Sequence, residues 1–462
     1  MSFIIIDLIL FVLFTIATVL FLYKRRSNLK RQGALYLYPT QVGVKFIEQF
    51  TKKYHALLRP LQYLILISGF ALMITIVIAL INLSYTYFTS PYLAEALKIP
   101  VLTPLIPYLP ELFKLDYLPH FYFTYWIIII AVIAIPHEFA HGIYSRLHKI
   151  KVRSTGFGFL GPFIAAFVEP DEKQMEKAPI KAQMSILAAG TFANLLMTLL
   201  FGIIFALFFL SFFSPAGVYI QTYTTAVVPT NSIFLNGTPL SQAVLPEKGL
   251  LEIISQNTSY LAPASFLQIA LKENHPTVGV YENAPAINKR LQGAITHINN
   301  QPVSSKEELA RILTEKRPGE TVTITTATQS GKKNTTELTL GSRNGKAYLG
   351  IGFPKIERTG VSGLTYKGIS LIADPSLYYN SKLGELGFFF KDLLWWLVLI
   401  NASVALMNML PVGIFDGGRF FYLTVLSITD SKQIAKQAFK ISTWIFIALA
   451  IALMLKWVFI YI

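Results

Sequence analysis

Ile133-Ala134-Ile135-Pro136-His137-Glu138-Phe139-Ala140-His141-Gly142 lies inside an apolar run from about residue 121 to 147. A run of that kind, near the roughly 20 residues a bilayer core demands, reads as a membrane helix. Two imidazoles and a carboxylate within five residues of such a helix cost several kcal/mol unless they serve a site. Residues four apart share one helical face, so His137 and His141 can ligate one metal together. Zinc suits two imidazoles plus a carboxylate, with a fourth position left for water. Glu138, one residue round, is suited to accept a proton from that water as it attacks a carbonyl. Seven His and eighteen Glu in 462 residues would produce this pattern by chance only about 0.4% of the time. Nine residues separate His137 from Arg146, the first basic residue, or roughly 14 Å of helix. The metal is therefore expected in the inner half of the bilayer, reached by water from the cytosolic side.

The rest of the chain agrees with a membrane setting. Hydrophobic residues make up 53% and charged residues 14%, against about a quarter charged in ordinary globular chains. Apolar blocks predict six spans, at about 3–23, 61–85, 121–147, 182–213, 387–410 and 439–462. The first is too long and uninterrupted for a cleaved signal peptide. The expected architecture is a polytopic α-helical membrane protein with about six transmembrane helices and an inserted α+β extramembrane domain. Net charge is +15, but the basic residues gather in connections between apolar blocks, and no nucleic-acid-reading motif accompanies them. Nucleic acid is therefore not an expected partner. The absence of cysteine excludes disulfides, thiolate-held zinc and thiol catalysis.

Lys/Arg asymmetry sets the orientation. Lys24, Arg25, Arg26, Lys30 and Arg31 follow the first span, and Arg146, Lys149, Lys151 and Arg153 follow the third, whereas the loop between the second and third holds only Lys98 and Lys114. Both termini are expected outside, with the site toward the cytosol. Residues 42–54 mix Phe46, Ile47 and Phe50 with Lys45, Glu48 and Lys52, which fits an interfacial amphipathic helix or a short linker helix.

Residues 214–355 differ in kind. Alternating runs at 321–326 and 335–340 predict strands, and 305–316 predicts an amphipathic helix. This insert, placed outside by the count of spans, separates the chain into residues 1–60, a first catalytic half at 61–213, the insert, and a second catalytic half at 384–462.

A third metal ligand is required, and one acid stands out. Asn408-Met409-Leu410-Pro411-Val412-Gly413-Ile414-Phe415-Asp416-Gly417-Gly418-Arg419 ends the fifth span with one of only seven aspartates, at the same expected depth. Flanking glycines permit the tight turn that a helix end packed near a metal needs. On chemistry alone a solvated loop acid remains the alternative.

The pairing of a His-Glu-x-x-His span with a later Asn-x-x-Pro and Asp-Gly span resembles the site-2 proteases, intramembrane zinc metalloproteases, in their archaeal or bacterial form carrying a PDZ domain. The resemblance implies His137, His141 and Asp416 as ligands of one zinc per chain, and Glu138 as catalytic base. Gly190-Thr191-Phe192-Ala193-Asn194 is similar to the family's Gly-x-x-x-Asn element, departing where members commonly carry proline at the Thr191 position. Asn194 would then be catalytic, donating to the oxyanion or holding substrate. A plain helix–helix hydrogen bond is the other reading. Thr155-Gly156-Phe157-Gly158-Phe159-Leu160-Gly161-Pro162 and its continuation to Pro170 resemble the family's strand-forming segment. Such a strand edge could pair with an unwound substrate, or the segment could be a membrane-dipping loop. Asn283-Ala284-Pro285-Ala286-Ile287 with residues 293–303 is similar to a PDZ fold, which binds extended peptide ends; residues 215–280 would be an insertion or a second degenerate copy. The implied partners are membrane-anchored protein substrates, peptide ends and the lipid bilayer. Two rival readings stand beside hydrolysis. In one the chain is a non-catalytic membrane adaptor with a peptide-binding domain. In the other it is a metal transporter.

Overall fold

The computed structural model describes residues 3–461, apart from 34, 91–99, 101–102, 104, 116–117, 162, 329–330, 355–366 and 369. Lys98, one of the two basic residues of the second connection, lies outside the described residues. Two compact units form, Met1–Phe205 with Phe389–Ile462, and Ala206–Phe388.

The helices that frame the first unit are α1 (Phe3–Lys24), α2 (Val42–Lys53), α3 (His55–Thr89), α4 (Phe123–Leu147), α5 (Ile180–Phe212), α6 (Glu385–Met407), α7 (Asp416–Thr429) and α8 (Lys432–Tyr461). Among the described residues, six are long and apolar enough to span a bilayer, namely α1, α3, α4, α5, α6 and α8. The chain is thus a polytopic membrane protein with a β-rich insert. Two expectations need adjustment. Helix α3 begins at His55, ahead of the span expected from about residue 61, and carries Pro60 internally. The fifth span, expected to about residue 410, ends at Met407, and Asp416, read from the sequence as ending that span, instead begins a separate helix, α7. Pro411, which cannot continue a helix, and Gly413 account for the interruption.

Helix α2 buries part of its apolar face and leaves Val42 and Phe46 exposed. Val44 and Ile47 pack with Phe139 and Ile143 of α4 and with Val152 and Val168. Those last two belong to a four-stranded antiparallel sheet, β1 (Lys30–Gln32), β2 (Leu35–Thr40), β3 (Val152–Leu160) and β4 (Phe163–Pro170), in that order. The β3–β4 hairpin occupies the segment expected to form strands. The pair β1–β2, hidden in the basic segment after α1, extends it, and β4 is left as an edge.

Helix α1 is mostly exposed along its length but buries Asp7 completely. That carboxylate accepts hydrogen bonds from the backbone amides of Phe123 (2.7 Å) and Thr124 (3.0 Å), from the Tyr108 hydroxyl (2.6 Å) and from the Thr124 hydroxyl. The first amides of a helix have no partner within it, and the positive end of the helix dipole favours an anion. Asp7 therefore caps α4, the helix that carries the histidines. Ile65 of α3, Tyr144 of α4, Ile186 and Ala188 of α5 and Phe420 of α7 share one buried cluster, so these four helices converge.

The second unit contains the same motif twice. A hairpin of Leu250–Ser255 and Thr258–Pro263 is followed by the helix Ala264–Lys272 and the strand Thr277–Glu282. A hairpin of Ala294–Ile298 and Gln301–Pro302 is followed by the helix Lys306–Thr314 and the strand Thr321–Ala327. Each hairpin turns on two residues of positive φ, Gln256-Asn257 and Asn299-Asn300, the signature of a type I′ turn. Leu267 and Ala270 match Leu309 and Ile312 on the helices, and Val278 and Val280 match Val322 and Ile324 on the strands; all are buried. Each copy builds its own sheet and core. The stretch before residue 283 thus shows the same hairpin–helix–strand order as the stretch after it.

Candidate active site

Helix α4 runs unbroken through Pro136 and turns His137 and His141 to one side. Helix α7 starts at Asp416, placed there by a compact reversal over residues 408–415. The reversal is closed by the Gly417 amide donating to the Asn408 carbonyl at 2.7 Å. A Cβ at Gly417 would stand 2.3 Å from the Met409 carbonyl carbon, so only glycine lets the two backbones meet.

Three side chains from these segments converge. His137 Nε2 and His141 Nε2 are 3.0 Å apart, and Asp416 Oδ2 lies 3.3 Å from the first and 3.4 Å from the second. A tetrahedral zinc with bonds near 2.0–2.1 Å separates its ligand atoms by about 3.3 Å. The spacing thus fits such an ion, and the donor set of two imidazoles and a carboxylate fits it chemically. His137 is buried, while His141 and Asp416 are partly open.

Helix α5 supplies the wall behind them through residues spaced by four. His141 Nδ1 lies 2.7 Å from the Ile186 carbonyl, and His137 Nδ1 lies 3.1 Å from the Asn194 amide. Between these, Gly190 leaves the space open. A Cβ there would stand 2.5 Å from His141 Nε2 and 2.6 Å from His137 Nε2. Of the two readings of Asn194, the hydrogen bond observed is the one between helices, to His137 at its Nδ1. The amide stands behind the ligating histidine, where α5 packs against α4.

Glu138 projects toward the sheet. Its Oε2 accepts the backbone amide of Val168 at 2.9 Å, and Val168 belongs to the edge strand β4. Ile186 and Val168 contribute only backbone atoms to these contacts, so no side-chain pattern could have announced them. Asp7 could have been noticed as a lone acid within an apolar run.

The model of Peptidase family M50 matches residues 125–453, from the first turn of α4 into α8. The chain belongs to peptidase family M50. Members of M50 are zinc metalloproteases of the site-2 type, and the matched region holds both segments that form the His-His-Asp group. The chain is also 30% identical over 198 residues to the uncharacterized protein MJ0971 of Methanocaldococcus jannaschii, a match covering 41% of this chain and 48% of that protein. It spans about half the length of that relative.

Proposed function

We propose that this M50 member is an intramembrane zinc endopeptidase that cuts transmembrane segments of membrane-anchored proteins, in the manner of regulated intramembrane proteolysis. The observation that carries the reading is the convergence of His137, His141 and Asp416, from two helices far apart in sequence, at 3.0–3.4 Å. In this reading they hold one zinc per chain. Bound zinc would supply Lewis acidity, bringing the pKa of water near neutrality and polarising a carbonyl.

The chain's own groups do the rest. The amide of Val168 fixes one oxygen of Glu138, leaving Oε1 to take a proton from the attacking water and pass it to the departing amine. A substrate helix must unwind to be cut, and its freed amides and carbonyls need partners in lipid. The β4 edge offers them by strand addition. The repeated hairpin–helix–strand motif of the insert supports a tandem PDZ-like pair that engages extended peptide ends on the external face. Both termini lie outside in this reading, and the metal site is toward the cytosol.

The test is incubation of the purified protein in detergent with a single-span model substrate, with and without a chelator, alongside Glu138→Gln. Cleavage that the chelator and Glu138→Gln each abolish is the expected result. An intact substrate despite confirmed zinc points instead to a membrane adaptor that tethers partners through its insert.

A further inference from the structure

We infer that Asn194 is a positioning residue whose Oδ1 accepts the Nδ1–H of His137, fixing the tautomer that turns the Nε2 lone pair toward the metal. The inference rests on the zinc reading above and assigns Asn194 a role apart from contact with substrate.

The argument starts from which nitrogen faces the site. His137 Nε2 lies 3.3 Å from Asp416 and 3.0 Å from His141 Nε2, so Nε2 is the ligating atom and must be free of a proton. A neutral imidazole then carries its proton on Nδ1, which becomes a donor needing an acceptor. The polar group at Nδ1 is the Asn194 amide, 3.1 Å away. As placed, the amide nitrogen faces that nitrogen, donor against donor, while Oδ1 is buried without a hydrogen-bond partner. A half-turn of the amide, which leaves its shape unchanged, gives Nδ1–H an acceptor and relieves the buried oxygen. The neighbouring ligand shows the same arrangement in a form with no ambiguity. The Ile186 carbonyl can only accept, and it sits 2.7 Å from His141 Nδ1. One face of α5 therefore sets both tautomers, with a carbonyl at position 186 and a side-chain oxygen at 194. Asn194 and His137 are both buried, so water is a poor substitute for either partner. Groups that orient a ligating histidine in this way typically change metal affinity 10–100-fold when removed.

The experiment uses the full chain in detergent and two readouts besides proteolysis. Zinc affinity is measured by competition with a chromogenic chelator. The tautomer is read in the zinc-free protein from ring-nitrogen NMR of 15N-histidine, with His137 assigned through His137→Gln. Wild type should show the Nδ1–H form at His137. Asn194→Leu, similar in shape but unable to accept, should weaken zinc binding about 10–100-fold and release His137 into a mixture of tautomers. Asn194→Asp, which can only accept, should keep both the tautomer and the affinity to within a few-fold. Wild-type zinc affinity and an unchanged ring spectrum in Asn194→Leu would overturn the inference. So would a loss in Asn194→Asp as large as in Asn194→Leu, since that is the outcome if the amide donates. Should Asn194→Leu not fold, Asn194→Asp decides alone. A wild-type protein that binds no zinc but holds the Nδ1–H form would refute the zinc reading and leave the role of Asn194 standing.

Discussion

Replacing Gly190 by alanine adds one methyl group where the structure has no room for it. The new carbon would lie 2.5 Å from His141 Nε2 and 2.6 Å from His137 Nε2, whereas ordinary contact begins at 3.4 Å. Each nitrogen must therefore retreat by about 0.8–0.9 Å, and neither ring is free to do so. His141 is tied to the Ile186 carbonyl and His137 to Asn194. Ligand distances tolerate about 0.2 Å, so the methyl displaces the donors by several times the tolerance. Zinc affinity is expected to fall at least about 100-fold, near 2.8 kcal/mol at about 1.4 kcal/mol per decade. Backbone propensity acts in the opposite direction, since alanine favours a helix interior over glycine by about 1 kcal/mol. A large collapse of the fold is therefore not expected. The assay is metal content and chelator competition on purified Gly190→Ala, with Gly202→Ala as control. Gly202 lies on the same helix, and a Cβ there meets nothing within 4 Å, so it should bind zinc as wild type does. Zinc content and affinity within twofold of wild type in Gly190→Ala would refute the reasoning, because the space beside the two nitrogens would then not be the metal's.

Other consequences are open to simple measurement. Glu138→Gln should retain zinc while cleavage of a single-span substrate falls about 10²–10⁴-fold, the usual worth of a general base; a variant that still cuts at wild-type rate would remove Glu138 from the mechanism. Asp7→Asn removes the anion from the start of α4 and should cost about 1–2 kcal/mol, read as a lower unfolding temperature in detergent with zinc affinity little changed. In the insert, the Ser305 hydroxyl accepts the Glu308 amide at 3.1 Å, so Ser305→Ala should destabilise the helix Lys306–Thr314 by about 1 kcal/mol, measured by hydrogen exchange in the full chain. Hydrogen bonds from the Ser304 hydroxyl and amide hold the Glu308 carboxyl below the usual carboxylate range. Its contribution is thus present above the unfolded value and lost as pH falls through the folded one. Glu308→Gln should flatten the acid dependence of exchange in that helix.

How much of this was legible in the sequence depended on whether a contact is made by side chains at a fixed spacing. His137, Glu138 and His141 are four residues apart at most and announce themselves through helical periodicity. Asp416 was visible because acids are scarce and glycines flank it, although its place at the head of a separate helix was not. The reversal over residues 408–415 depends on packing between two backbones, which spacing does not encode. The β3–β4 hairpin was legible only through the likeness of residues 155–170 to the family's strand-forming segment, while β1 and β2 were masked by Lys30 and Arg31, whose charge suggested only a cytosolic connection. Ile186 and Val168 act through peptide groups, and every residue has those. The sequence left residues 215–280 open between an insertion and a second copy because Gln256-Asn257 and Asn299-Asn300 share a backbone shape more than a sequence.

The carboxylate at position 7 also bears on how the protein is made. Asp7 leaves the ribosome 116 residues before Phe123, whose amide it finally binds. Until then a helix destined for lipid carries an acid with nothing to satisfy it, at a cost of up to about 3 kcal/mol and less toward a helix end. Stable seating of this helix thus has to await synthesis of the third span, whose first turn supplies the two amides.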